Sequence, residues 1–121
     1  MKVRIAAEAD LREGGTVKFT FEREGRKVHG FVARFKGKLV AYENVCRHIP
    51  VTIDYDDNQF FTPEGTHFIC QTHGAVYEPL TGKCVRGPCP GEKLFPLRIV
   101  ADDGAVWLRT EEDEGPSLEE P

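Results

Sequence analysis

Nowhere in this 121-residue sequence is there a run approaching the ~18 consecutive apolar residues that a membrane-spanning helix needs. Nor do residues 1–15 hold a secretory apolar core, because Glu8, Asp10, Arg12 and Glu13 interrupt it. The expected location is therefore cytoplasmic, in a reducing compartment without an N-terminal anchor. Clustered bases are also missing. The 16 lysines and arginines are scattered, which argues against a nucleic-acid partner and against docking on an acidic membrane surface. Helix signals are scarce: good helix formers gather only in residues 6–13, before Gly14-Gly15, and are read as a turn or a single helical turn. No internal repeat is visible. Disulfide staples are not needed, since a chain of about 120 residues buries roughly two-thirds of its unfolded surface on folding. In a reducing compartment the four cysteines are better explained as metal ligands or redox groups.

Charge is unevenly placed. Residues 111–121 carry six acids (Glu111, Glu112, Asp113, Glu114, Glu119, Glu120) and no base, while the preceding part holds 16 bases against 14 acids. A single domain over residues 1–110 and an acidic, disordered solubilising tail over 111–121 are expected.

What the sequence does have is a succession of short β-branched and aromatic runs between turn residues, the pattern of an all-β domain. Strands are expected at residues 3–6, 17–21, 27–35, 38–42, 60–61, 67–70, 75–77, 97–100 and 106–109. Lys36-Gly37 and Asp102-Asp103-Gly104 mark two hairpins. Phe31, Phe35, Phe95, Leu97 and Trp107 are the expected core of this base. Between Tyr42 and Pro96 lie all four cysteines, three of the four histidines and six of the eight prolines. That stretch reads as loops inserted between strand-rich flanks, where function tends to reside.

Two short motifs dominate the insert. Cys46-Arg47-His48 is followed, after 21 residues, by Cys70-Gln71-Thr72-His73. Each offers one thiolate and one imidazole, so two facing loops would supply two of each. Ordinary zinc fingers instead group cysteines in one knuckle and histidines on a helix. The mixed division suits a two-iron, two-sulfide cluster with both thiolates on one iron and both imidazoles on the other; a structural zinc site in an interaction module is the alternative. With two neutral ligands the oxidised cluster is near zero net charge, which eases addition of an electron relative to a four-thiolate cluster.

These motifs, with His73-Gly74-Ala75 and Gly82-Lys83-Cys84-Val85-Arg86-Gly87-Pro88, resemble the Rieske [2Fe-2S] family, most closely its soluble, ferredoxin-like branch. The resemblance spans about residues 44–96. It implies a Rieske fold: an antiparallel β-sandwich base domain with a small inserted cluster-binding subdomain. It also implies one [2Fe-2S] cluster per chain, Cys46 and Cys70 on the inner iron, and His48 and His73 on the outer iron near the tip. The 21-residue spacer is longer than is usual in the family, and residues 54–65 read as an enlarged hairpin.

Other positions refine the expectation. Where Rieske proteins of cytochrome bc complexes carry a second cysteine in each ligand loop, this chain has Val51 and Thr72, so that bridge cannot form. Ala75 replaces the serine of high-potential members, whereas Tyr77 retains their tyrosine; hydrogen bonds to sulfur raise the potential. About 120 residues leave no room for the second domain of an oxygenase α subunit, and His29 and His67 are read as structural or exposed rather than as a second metal site. Cys84 and Cys89 are read as small packing residues, with a third-loop disulfide or a regulatory thiol pair as alternatives. Arg47, Ile49, Pro50, Thr72 and Pro88 are candidates for a docking patch or for plain loop framework. The resemblance implies a one-electron carrier, not an enzyme, linking a flavin-dependent reductase to an acceptor such as a ring-hydroxylating oxygenase. The small Rieske subunit of an assimilatory nitrite reductase is the alternative within the family.

Overall fold

Strands form where the sequence alternates or runs β-branched, and this computed structural model describes residues 2–47, 51–54, 57–72 and 74–109. In chain order they are β1 (Lys2–Ala7), β2 (Thr16–Arg23), β3 (Arg26–Phe35), β4 (Lys38–Glu43), β5 (Phe68–Ile69), β6 (Val76–Tyr77), β7 (Cys84–Arg86), β8 (Ile99–Asp102) and β9 (Ala105–Arg109). The expected helical turn is a 3-10 turn at Glu8–Asp10. All pairings are antiparallel, in three sheets ordered β1-β9-β8, β2-β3-β4 and β5-β6-β7. The family's all-β architecture is thus present.

The β2-β3-β4 sheet lies between two cores, and strand alternation decides what goes into each. Val32 faces one way with its neighbours Val17 and Ala41; they pack with Ile5, Leu39, Ile99 and Val106, filling the sandwich with the β1-β9-β8 sheet. Phe31 and Ala33 face the other way with Tyr42 and Val40, and join Phe60, Phe68, Tyr77 and all four cysteines in a second core under β5-β6-β7. Phe31 stacks on Phe60 with centroids 4.1 Å apart and meets Phe68 edge-on at 5.2 Å. Burial of each such ring contributes about 1.5–3 kcal/mol.

The inserted part leaves and rejoins the base at one place. Glu43 N–H donates to Phe95 O and Leu97 N–H to Ala41 O, both at 2.9 Å, so the outgoing β4 and the returning chain form a two-stranded neck.

Six expectations change. Glu24-Gly25 forms a third hairpin turn, with both residues at positive φ as in the Lys36-Gly37 turn. The strand expected at residues 60–61 is reduced to one bridge, Phe61 to Phe68. The long spacer does form a narrow hairpin, but its hydrogen bonds (Thr62 N–H to His67 O, Ile69 N–H to Phe60 O, each 2.8 Å) centre it on residues 62–67. β7 lies inside the glycine- and proline-rich segment read as loop. Trp107 is half-buried rather than core: Lys2 sits over its ring and Nε1 donates to Asp102 O. Phe95, also expected inside, is 42% exposed and lies under the Arg47 guanidinium, 4.2 Å from it.

Candidate functional site

Cys46 stands three residues past the end of β4, and the intervening Asn44 fixes the chain's exit. Asn44 is buried, with Oδ1 accepting Ile53 N–H (2.8 Å), Nδ2 donating to Asp54 Oδ1 (3.1 Å) and its backbone N–H donating to His29 O (2.8 Å). Asp54, equally enclosed, also accepts from Lys18 Nζ (3.0 Å) and Asn58 N–H (2.9 Å). Lys18 reaches it because it pairs with Phe31 on the face of β2 that looks toward the inserted part. Burial raises the Asp54 pKa, but hydrogen bonds from Asn44, Lys18 and Asn58 outweigh it, and the carboxyl ends below its usual value. Cys46 N–H donates to Val51 O at 2.8 Å, which joins the start of the first motif to the chain just after it.

The second motif is closed in a similar way. Cys70 follows β5; its N–H donates to Ala75 O (2.7 Å) while Gly74 N–H returns to Cys70 O (2.8 Å). Gln71 N–H donates to Ile53 O at 2.8 Å, so one backbone bond joins the chain after the first motif directly to the second. Cys46 and Cys70 are 2% and 0% exposed and belong to one core, while no disulfide joins any of the four cysteines. His48 and His73 lie outside the described residues, as do Ile49, Pro50 and residues 111–121.

Tyr77 stands beneath the first motif. Its hydroxyl accepts Arg47 N–H (2.9 Å) and lies 3.5 Å from Cys46 Sγ and 3.3 Å from Cys89 Sγ. Burial, then the contacts with Cys89 and Cys46, push its pKa well above that of a free phenol, so it remains a neutral hydrogen-bond donor.

A third segment presses on the second motif. Gly87, at φ +100, approaches so closely that a Cβ there would stand 2.8 Å from Ala75 Cα, closer than real side chains come. The segment is closed by Cys84 N–H to Glu92 O (2.8 Å) and is held to the first motif by Arg47, whose guanidinium pairs with Glu92 (2.9 Å), donates to Lys93 O and covers Phe95. Arg47 is therefore framework, while Thr72 and Pro88 are exposed. His29 is exposed and His67 half-buried, its Nδ1 2.9 Å from Thr66 Oγ1, in keeping with non-ligand roles.

Asn44 and Asp54 were not singled out from sequence. The available signal was an asparagine two residues before the first cysteine and, directly after Val51-Thr52-Ile53, the first of the three aspartates at 54, 56 and 57. The donor set fits an iron–sulfur cluster: two buried sulfurs on hydrogen-bonded turns with a neutral hydroxyl donor at one of them.

Comparison with known proteins agrees. The family model for the Rieske [2Fe-2S] domain matches residues 1–105. The cytochrome b6-f complex iron-sulfur subunit of Trichodesmium erythraeum (strain IMS101) is 32% identical over 77 residues, which are 64% of this chain and 39% of that protein. Among solved structures, the ferredoxin of carbazole 1,9a-dioxygenase from Nocardioides aromaticivorans IC177 superposes with a TM-score of 0.69 at 22% identity, covering 92% of this chain and 99% of that one. The Sphingomonas yanoikuyae B1 ferredoxin gives 0.69 at 23% identity, covering 91% and 99%.

Proposed function

Because this chain belongs to the Rieske [2Fe-2S] family, whose domain binds one two-iron, two-sulfide cluster and carries electrons, we propose that it links a flavin-dependent reductase to an acceptor of the ring-hydroxylating oxygenase kind. In this reading Cys46 and Cys70 hold one iron and His48 and His73 the other, within a single domain over residues 1–110. The supporting observation is the joining of the two motifs, Gln71 N–H to Ile53 O, above a core that contains both cysteines. Comparison adds a chain of similar fold from the complex of reduced oxygenase and oxidized ferredoxin in carbazole 1,9a-dioxygenase, at a TM-score of 0.68 and 21% identity.

The bound cluster supplies a site that gains and loses one electron. The protein's own groups set how readily it does so. Burial of Cys46 and Cys70 keeps water from their sulfurs, and the Tyr77 hydroxyl, placed by Arg47 N–H, stands 3.5 Å from Cys46 Sγ, where a donated hydrogen bond favours the more negative reduced state. Val51 and Thr72 leave no bridge between the motifs of the kind found in bc-type proteins. Among the described residues no helix is long and apolar enough to cross a membrane.

The test begins with anaerobic purification, followed by visible absorption, low-temperature electron spin resonance, and iron and sulfide analysis. Two irons and two sulfides per chain, with a rhombic signal of average g below 2 only after reduction, are expected. A colourless, spin-silent protein holding zinc would instead make it a structural module. With the cluster in place, stopped-flow reduction by a flavin reductase and reoxidation by an oxygenase then test the two partners. Copurification at fixed stoichiometry with one large redox enzyme would defeat the mobile-carrier reading.

A further inference from the structure

Cys84 and Cys89 have no part in the ligand set, yet their sulfurs stand 3.2 Å apart, which burial alone does not require. They are 2% and 6% exposed, one on β7 and the other in the turn that Glu92 closes by donating its N–H to Cys89 O. Pro88, Pro90, Gly91 and Glu92 around Cys89 are exposed, so only the thickness of this turn separates the pair from solvent. A disulfide needs its sulfurs at about 2.05 Å, and only the four residues Val85-Arg86-Gly87-Pro88 separate the two positions.

The thiols also sit in a directed chain of hydrogen bonds. Cys84 Sγ donates to Arg86 O (3.3 Å), which can only accept; Cys84 therefore accepts from Cys89, and Cys89 in turn is left to accept from the Tyr77 hydroxyl at 3.3 Å. That hydroxyl has one hydrogen, and Cys46 Sγ at 3.5 Å competes for it. We propose that Cys84 and Cys89 form an oxidisable dithiol, and that its disulfide state raises the potential of the bound cluster by releasing the Tyr77 hydroxyl to Cys46. The oxidant is a low-molecular-weight disulfide. Two S–H bonds break and one S–S bond forms; the two electrons cleave the oxidant's S–S bond, and the two protons pass to its two departing thiols. A disulfide sulfur is a poorer acceptor than a thiol paired in such a chain, so the hydroxyl turns to the ligand sulfur, and a stronger hydrogen bond there favours reduction. Burial pushes the Cys89 thiol up to about 11, so Cys89 rests as a thiol and exchanges slowly.

The coupling to potential rests on the cluster assignment above; formation of the disulfide does not. The experiment incubates the cluster-loaded protein with glutathione disulfide until no further change occurs, follows its visible spectrum, and reads intact mass, thiol count and midpoint potential. Expected are a loss of two hydrogens, disappearance of the Cys84 and Cys89 thiols, and a rise in potential that a phosphine reductant reverses. Cys84→Ser and Cys89→Ser should each abolish the mass change and the shift. Unchanged thiols, a glutathione adduct in place of the two-hydrogen loss, or a potential shift that survives in Cys89→Ser would overturn the proposal. Lack of an iron–sulfur spectrum before oxidation would instead defeat the cluster assignment, while the mass readout still judges the dithiol.

Discussion

Below the neck and above it, the same chain holds itself together in different ways. The base uses strands of four to ten residues in continuous ladders, with an aliphatic filling of Val17, Val32, Leu39, Ala41, Ile99 and Val106. The inserted part has strands of two or three residues and a core of aromatic rings and cysteines. Its loops depend on a few isolated contacts outside any ladder, among them Gln71 to Ile53, Asn44 to Asp54 and Arg47 to Glu92. Ladders share the loss of one contact among many bonds, whereas isolated contacts do not, so substitutions above the neck should affect the cluster far more than the fold below.

The largest separation should come from Cys46→Ser or Cys70→Ser. Either is expected to abolish the visible iron–sulfur spectrum while amide exchange stays slow in β2, β3 and β4; loss of protection there would show that the base needs the cluster. Next comes Gly87→Val, which combines a left-handed backbone with a 2.8 Å approach to Ala75 Cα. It should cost about 2–4 kcal/mol in chemical denaturation and speed cluster loss. Its counterpart in the base, Gly104→Ala, meets open space and should cost about 1 kcal/mol.

Asp54→Asn replaces an acceptor-only group, which serves three donors, by one that must present N–H₂ to at least one of them. A loss of about 1–3 kcal/mol is expected, read as a lower denaturation midpoint. The native pKa lies below the usual 3.8. The contribution of Asp54 is therefore fully present above about pH 4 and lost as the pH falls through the native value. Cluster release on acidification should follow this in the native chain, and the same acid step should be missing from the Asn variant. The smallest effect is expected of Tyr77→Phe. It leaves Arg47 N–H without its acceptor at a cost of about 1 kcal/mol and, in the disulfide state of Cys84 and Cys89, lowers the cluster's midpoint potential. An unchanged potential in voltammetry would remove Tyr77 from the account of electron affinity.

Much of this contrast was legible in the chain. The β-branched and aromatic runs at residues 27–35 and 38–42 and the Lys36-Gly37 dipeptide between them located the base hairpin, since ladders follow from local pattern. Cysteine and histidine spacing located the two motifs. His48 and His73 lie outside the described residues, so their part in the ligand set is read from that spacing. β7 escaped notice because three residues between Gly82 and Gly87-Pro88 carry too little periodicity, and the strand exists only through its neighbour β6. Phe95 and Trp107 were misplaced for a related reason. A large ring suggests interior, but a cation from elsewhere in the chain, Arg47 or Lys2, can cover it at the surface instead. The Asn44–Asp54–Lys18 network joins residues 10 and 36 positions apart, a relation no local pattern carries.

The middle sheet gives the Lys36-Gly37 turn a reach beyond its own hairpin. Odd positions of β3 supply the aromatic core and even ones the aliphatic core, so the parity of a single strand is the address system for both. One residue added at that turn, with β4 pairing shifted to suit, would exchange the two faces of β4 and deliver Tyr42 to the sandwich and Ala41 to the metal-binding side. Two residues would restore the addresses. Length changes at this distant turn should therefore obey an odd–even rule, with iron retention as the readout of a counting error made far from the iron.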